Sequence, residues 1–93
     1  MKIDHIGWCK EGIHDKVWGI IRLDGDSCVT FWGRRGSKLQ TKVIKASWWE
    51  ANNLFGKKLN KGYQEIKPSQ LEQVYPEFKS DLEKTAIWAM LKL

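Results

Sequence analysis

A turn dipeptide between two β-rich stretches is the feature that most constrains how this chain can fold. Residues 17–23 and 27–32 are rich in β-branched and aromatic side chains, and Asp24-Gly25 lies between them. Asp-Gly in this setting is a strong signal for a β-hairpin with a type I′ turn, which needs positive φ at both central residues. The sequence therefore predicts two antiparallel strands at the centre of the fold.

The flanking segments predict more of the same sheet. Side chains alternate between the two faces of a strand, so Phe31 and Trp32 point to opposite sides. After a turn, a strand resumes at Leu39–Lys45, where Gln40 and Lys42 share a largely polar face suited to solvent or a ligand. The N-terminal residues 3–8 and the segment 63–66 are candidates for two further strands.

A helix is predicted to begin after Ser47. Ser47 and Glu50 have the spacing of a capping box, and Gly62 provides a stop. Helical periodicity places four side chains on one apolar stripe: Trp48, Ala51, Phe55 and Leu59. Both Trp48 and Trp18 are accordingly interpreted as core residues, with Trp49 off the stripe. The lysines near the helix end (Lys57, Lys58 and Lys61) complement the helix dipole.

The last third of the chain predicts helices. From Pro76, one helix would place a stripe on the rest of the protein: Phe78, Leu82, Ala86, Ala89 and Leu93. Ile87, Trp88 and Leu91 add apolar surface on its other sides, which leaves open a homodimer or a protein partner bound through this helix. The length of 93 residues allows one domain and an appendage. We expect an α+β fold, in which a small antiparallel β-sheet has a helix packed on one face. Residues 1–66 would form this domain and residues 67–93 a C-terminal helical extension.

The charge is concentrated in the middle of the chain. Between residues 34 and 62, eight Lys and Arg residues oppose one Glu, whereas the rest has eight basic and ten acidic residues. A basic segment in a near-neutral protein suggests a surface that faces a polyanion. A lysine-rich face that serves only solubility is the alternative.

Targeting and membrane signals are not visible in the sequence. The N-terminal residues lack the apolar run of a signal peptide, and no stretch approaches the ~20 apolar residues of a membrane span. Two cysteines are too few for a disulfide scaffold. The expected location is therefore cytoplasmic, with no membrane partner.

Catalytic and metal-binding patterns are weak. A zinc set would have to combine His5, Cys9, His14 and Cys28, which are scattered over separate elements without a Cys-x2-Cys pair. The segment Gly33–Gly36 is too short for a phosphate-binding loop of the Gly-x4-Gly-Lys type. Asp24 and Asp26 lie in a turn, where Asp is common. We expect no enzyme activity, no metal and no cofactor.

One constellation carries chemistry. Trp32, Gly33, Arg34 and Arg35 are followed by Gly36, and Lys38, Gln40 and Lys42 continue the segment. An indole can stack on a base or sugar, and a guanidinium matches phosphate oxygens with a planar fork. The candidate nucleic-acid-binding residues are Trp32, Gly33, Arg34, Arg35, Lys38, Gln40 and Lys42. For Trp32 the alternative role is cross-strand packing, and for Arg34 it is bracing its own domain through backbone carbonyls. A further alternative pairs the arginines with Asp24 or Asp26 across the hairpin.

The tripeptide Trp32-Gly33-Arg34 resembles the signature of the WGR domain, which occurs in poly(ADP-ribose) polymerases and in small stand-alone bacterial proteins. The resemblance covers about residues 16–66 and includes the aromatic strand at Val17–Ile20, the acidic-glycine turn, the Gln/Lys strand and the Glu50-Ala51…Phe55 helix ending in Gly62-Tyr63. It implies a sheet with one helix across it and nucleic-acid contact near the tripeptide. In that case Trp32 stacks on a sugar or base and Arg34 contacts the backbone. Arg35 departs from the family, which more often has an apolar residue there, and the loop is shorter.

These patterns together predict a non-enzymatic nucleic-acid-binding module that contacts the phosphate backbone or strand ends. DNA is favoured over RNA as its partner. The alternative is a protein-interaction adaptor or inhibitor that uses the basic face and the C-terminal helix.

Overall fold

The computed structural model describes residues 2–91 and contains a five-stranded antiparallel sheet in the order β4-β3-β2-β1-β5. The strands are β1 (Lys2–Glu11), β2 (His14–Arg22), β3 (Ser27–Arg34), β4 (Gln40–Lys45) and β5 (Gln64–Glu65). The helices are α1 (Trp48–Asn60), α2 (Leu71–Val74), α3 (Phe78–Glu83) and α4 (Trp88–Leu91), and a 3₁₀ turn at Pro68–Gln70 precedes α2. The predicted α+β class is confirmed. None of the helices in this part of the chain is long and apolar enough to cross a membrane.

The predicted hairpin forms between β2 and β3, but its turn differs from the expectation. Gly25 does not have positive φ, so the type I′ turn is wrong. Instead the Asp24 carboxylate accepts hydrogen bonds from the backbone N–H groups of Asp26 (2.9 Å) and Ser27 (2.8 Å). These bonds lower the pKa of Asp24, the bond from Asp26 most strongly. The aspartate side chain closes the turn in place of left-handed backbone.

Helix α1 covers one face of the sheet over β1 and β2. Its capping box is present, because Ser47 and Glu50 each accept a hydrogen bond from the other's backbone N–H. Ala51 and Phe55 are buried against Trp18, Ile20 and other sheet residues. The helix ends at Asn60, and Gly62 follows with φ 102°.

The outer ends of the predicted stripe are exposed. Trp48 is 61% exposed and Leu59 is 41% exposed, so the interpretation of Trp48 as a core residue is wrong. Trp18 is buried as expected, and Trp49, which the periodicity placed off the stripe, is 67% exposed. Only the two middle positions of the stripe, Ala51 and Phe55, are buried.

The segment after β5 covers the opposite face of the sheet. Phe31 and Val29 from β3 share one hydrophobic cluster with Tyr75, Phe78 and Leu82. The Phe31 and Phe78 ring centroids lie 5.2 Å apart. Within this cluster, the Tyr75 hydroxyl donates to the buried Asp81 carboxylate at 2.6 Å. The predicted extension therefore shares a core with the sheet, and each face of the sheet carries a hydrophobic cluster.

The single helix predicted from Pro76 is wrong, since α3 ends at Glu83 and a break separates it from α4. The Thr85 hydroxyl at the break donates to the Leu82 carbonyl oxygen at 2.7 Å. Leu91 belongs to the same cluster as Phe78, and Ile87 and Trp88 pack against it, whereas Ala86 and Ala89 are exposed. The apolar residues that suggested a partner are thus largely used within the chain. Leu93, the last position of the predicted stripe, lies outside the described residues.

Candidate nucleic-acid interface

The register of β2 and β3 places Trp32 and Arg34 on the face that carries α1. Trp18 lies opposite Trp32, and Lys16 lies opposite Arg34. Trp18 is part of the cluster under α1, and alternation along the strands gives Lys16 and Arg34 the same side. Gly33, between them, is paired with Val17, which faces the other core. Two aromatic and two basic residues therefore form adjacent rows at this end of the sheet.

Two lysines of α1 join this end of the sheet. The Lys58 ammonium lies 5.3 Å from the centre of the Trp18 ring. Burial lowers the pKa of Lys58, and the charges of Lys61 and Lys16 lower it further. We call Lys16, Arg34, Lys58 and Lys61 the basic cluster. The three ion pairs within residues 2–91 use other cations (Arg22, Arg35 and Lys84). The positive charges of the basic cluster therefore face one another, and none of them forms an ion pair with a carboxylate of the described residues.

A surface groove of about 370 Å³ opens beside the basic cluster. It is lined by Trp32, Gly33, Arg34, Lys16 and Tyr63, together with Ile13, His14 and Asp15 at the β1–β2 turn. The Lys16 ammonium lies 5.8 Å from the centre of the Tyr63 ring. The carboxylate of Asp15 is already bound by the side chains of Trp8 and Arg35. The groove therefore presents free cations and aromatic surface.

Next to the groove, β4 adds further polar residues to the face of the sheet that carries Trp32. Gln40 lies opposite Trp32, and Lys42 lies opposite Thr30, so both share the face of Trp32. Both are exposed, and α1 lies over β1 and β2 on the other half of this face. Lys38 is exposed in the loop before β4. The structure thus brings Trp32, Gly33, Arg34, Gln40 and Lys42 together, with Lys38 at the border.

Arg35 is separated from this group. Its guanidinium donates to the Val74 carbonyl oxygen (2.5 Å) and to the Asp15 carboxylate (2.9 Å), and it lies 4.7 Å from the centre of the Trp8 ring. Trp8 and Val74 pack against the cluster on the face opposite α1. The internal bracing considered for Arg34 is made by Arg35, and the acidic partner is Asp15 instead of Asp24 or Asp26.

Trp32 packs against the protein's own core and also borders the groove. Its ring is half-buried and packs against the cluster under α1, beside the buried Trp18. The remaining surface of Trp32 lines the groove. A partly exposed indole fixed by packing is a rigid platform, so its exposed part could stack on a ligand at little cost in conformational entropy.

Three members of the basic cluster were not among the predicted site residues: Lys16, Lys58 and Lys61. Lys58 and Lys61 were explained by the helix dipole, a role that does not exclude a second one. No sequence pattern around Lys16 indicates that it belongs to the site. Only the pairing of β2 with β3 places it opposite Arg34, and a register of this kind cannot be read from one strand.

The candidate zinc residues are dispersed over the fold. Cys9 and Cys28 are buried as free thiols, and burial raises the pKa of Cys28. His5 stacks on Phe55 with ring centroids 4.6 Å apart. Within residues 2–91, no three His, Cys, Asp or Glu side chains are grouped closely enough to hold a metal ion.

Comparison with known proteins returns no match: no family model, no curated protein and no solved structure is similar to this chain. The resemblance to the WGR domain therefore rests on the sequence motif alone.

Proposed function

We propose that this protein is a non-enzymatic nucleic-acid-binding module of the WGR type, which contacts the phosphate backbone or strand ends. The observation that carries the proposal is the cross-strand pair Lys16–Arg34 beside the partly exposed Trp32. Like charges directly opposite each other destabilise a sheet. Their placement without an ion-paired carboxylate is understandable if an anion binds between them.

The remaining residues of the face suit a polyanion better than a single small anion. Lys58 and Lys61 extend the positive charge along α1, and Lys42 extends it along β4. A flat aromatic surface next to several cations is the usual composition of a surface that stacks one base or sugar and follows a backbone. The cations and the indole of this face suit contacts to the backbone and sugars, so we expect little sequence preference.

The proposal is tested by fluorescence anisotropy with labelled duplex DNA, single-stranded DNA and RNA of about 16 nucleotides over about 50–200 mM salt. If about four phosphates are neutralised, log K against log salt has a slope near −4 on duplex DNA. Arg34→Gln and Lys16→Gln should each weaken binding and reduce the steepness of that slope by about one. Lys79→Gln on α3 removes the same charge from an exposed residue of the opposite face and should leave binding nearly unchanged. An affinity that does not depend on salt would contradict the proposal.

The adaptor alternative predicts a different result with the same variants. If the basic face binds an acidic protein, capture of that protein survives nuclease treatment and is lost in Arg34→Gln, and the labelled oligonucleotides bind weakly or not at all. Binding of the oligonucleotides by the purified chain decides for the nucleic-acid role.

A further inference from the structure

Arg35 connects three parts of the fold at the base of the loop that carries Arg34. Its backbone N–H donates to the Asp15 carbonyl oxygen at 2.9 Å, and its guanidinium binds the Asp15 carboxylate at the same distance. The guanidinium also donates to the Val74 carbonyl oxygen at the end of α2 and stacks over Trp8 of β1. One side chain thus joins the loop to β1, to β2 and to the C-terminal segment.

The opposing charges of this connection are only partly exposed. The side chains of Arg35 and Asp15 keep 24% and 22% of their surface accessible. Partial burial acts to raise the pKa of Asp15, but the hydrogen bonds from Trp8 and Arg35 and the charge of Arg35 lower it overall. Charge-assisted bonds of this kind are stronger and more directional than neutral ones. Asp15 therefore holds Arg35 as a carboxylate.

Gly33 and Arg34 end β3 and are paired with Val17 and Lys16 of β2, and the turn at residues 35–37 follows them. Gly33 has φ 149° and Gly36 has φ 86°, so glycines in unusual conformations flank Arg34 and Arg35 on both sides. Within the loop, Ser37 bonds the Arg34 carbonyl oxygen through its backbone N–H (3.1 Å) and its hydroxyl (2.8 Å). These bonds shape the turn, and the backbone and side chain of Arg35 attach it to Asp15, Trp8 and Val74.

We infer that Arg35 is a positioning residue for the nucleic-acid site: through Asp15, Trp8 and Val74 it fixes the end of β3 and the turn after it, and so keeps the Arg34 side chain at the groove. The inference rests on the proposed function. It gives the C-terminal segment a part in binding, since Val74 supplies one of the contacts. Arg35 touches no phosphate in this role, because its guanidinium binds Val74 and Asp15 within the protein.

The experiment compares two kinds of variant with the labelled duplex described above. Arg35→Gln and Asp15→Asn each break the connection, and the double variant has the net charge of the wild type. We expect each of the three to bind about three- to tenfold more weakly, because the loop must then be ordered on binding. Their salt slope should equal that of the wild type, whereas Arg34→Gln reduces it by about one. The double variant should be no weaker than the single ones.

A purely structural Arg35 and a phosphate-contacting Arg35 give different results. Suppose that circular dichroism shows Arg35→Gln to be fully folded and that it binds the labelled duplex with the affinity of the wild type. The positioning role is then refuted. A reduced slope in Arg35→Gln that matches Arg34→Gln refutes it as well, because Arg35 then contacts phosphate. Should Arg35→Gln fail to fold, Asp15→Asn decides alone, since asparagine still accepts the bond from Trp8. A wild-type chain that binds none of the oligonucleotides refutes the proposed function and this inference with it.

Discussion

Gly19 lies where the backbone of β2 passes under the ring of Phe31, and a methyl group there should be strongly destabilising. A Cβ atom built at Gly19 would be 2.2 Å from Cζ and 2.5 Å from Cε2 of Phe31, and 2.8 Å from the carbonyl oxygen of His5. Carbon atoms in ordinary contact are about 3.5–4.0 Å apart. Phe31 is fully buried against Phe78, so its ring cannot move aside freely. Overpacking of a core costs about 1–3 kcal/mol and occasionally more.

We therefore expect Gly19→Ala to lower the free energy of unfolding by about 3 kcal/mol, at the upper end of that range, because a backbone atom shares in the clash. In a domain of this size the melting temperature would fall by about 12–24 °C. Urea and thermal unfolding followed by circular dichroism measure both quantities. Gly25→Ala is the matched control: no atom lies within 4 Å of its Cβ and φ is not positive, so it should stay within about 0.5 kcal/mol of the wild type.

A double variant tests the cause directly. Phe31→Leu removes the ring atoms that clash, so Gly19→Ala should cost at least about 1 kcal/mol less in that background than alone. If Gly19→Ala is as stable as the wild type, or if the two changes simply add, Phe31 does not lie over Gly19 and the argument is refuted.

Three further predictions concern charge and capping. Lys16→Gln should raise the free energy of unfolding by about 0.2–1 kcal/mol at low salt by relieving repulsion from Arg34, while weakening nucleic-acid binding; a variant that loses both stability and affinity would contradict this. Because the pKa of Asp15 is lowered in the folded state, its ionised carboxylate contributes stability at neutral pH, and this stability is lost as the pH falls from about 4 through the lowered pKa. Asp15→Asn should therefore be less stable than the wild type at pH 7. In acid unfolding curves the difference in stability between the two proteins should shrink. Ser47→Ala removes the side-chain cap of α1 and should cost about 0.5–2 kcal/mol in urea unfolding, and no loss would mean that the cap is not formed.

Much of the sheet could be predicted because its signals are local. Strand alternation correctly separated Phe31 from Trp32, and the Ser47–Glu50 spacing located the start of α1. The sequence predicts the position of the turn at Asp24 correctly but not its type. The Asp24 side chain closes the turn through hydrogen bonds to the backbone, so Gly25 does not need positive φ. Trp48 was misplaced because helical periodicity says which residues share a face, and not how far the surface beneath them extends.

The candidate site was predicted only in part for a similar reason. Arg34 and Trp32 are placed by their own strand, whereas Lys16 comes into the cluster through strand pairing and Lys58 through the crossing of α1. Arg35 follows Arg34 directly, and its contact with Val74 spans 39 residues of sequence. Contacts over such distances depend on the packing of the whole chain and leave no trace in a local pattern.

The exposure of Trp48 and Trp49 has a practical consequence for spectroscopy. Both indoles are surrounded largely by water, whereas Trp18 is buried and Trp32 is half-buried. Fluorescence from the intact chain will therefore combine red-shifted emission from the two solvated rings with bluer emission from the others. A change in the emission of Trp32 when a ligand binds would be a small fraction of this total signal. Replacing Trp48 and Trp49 with phenylalanine removes this background with little effect on packing, and of the four tryptophans that remain, Trp32 lines the groove.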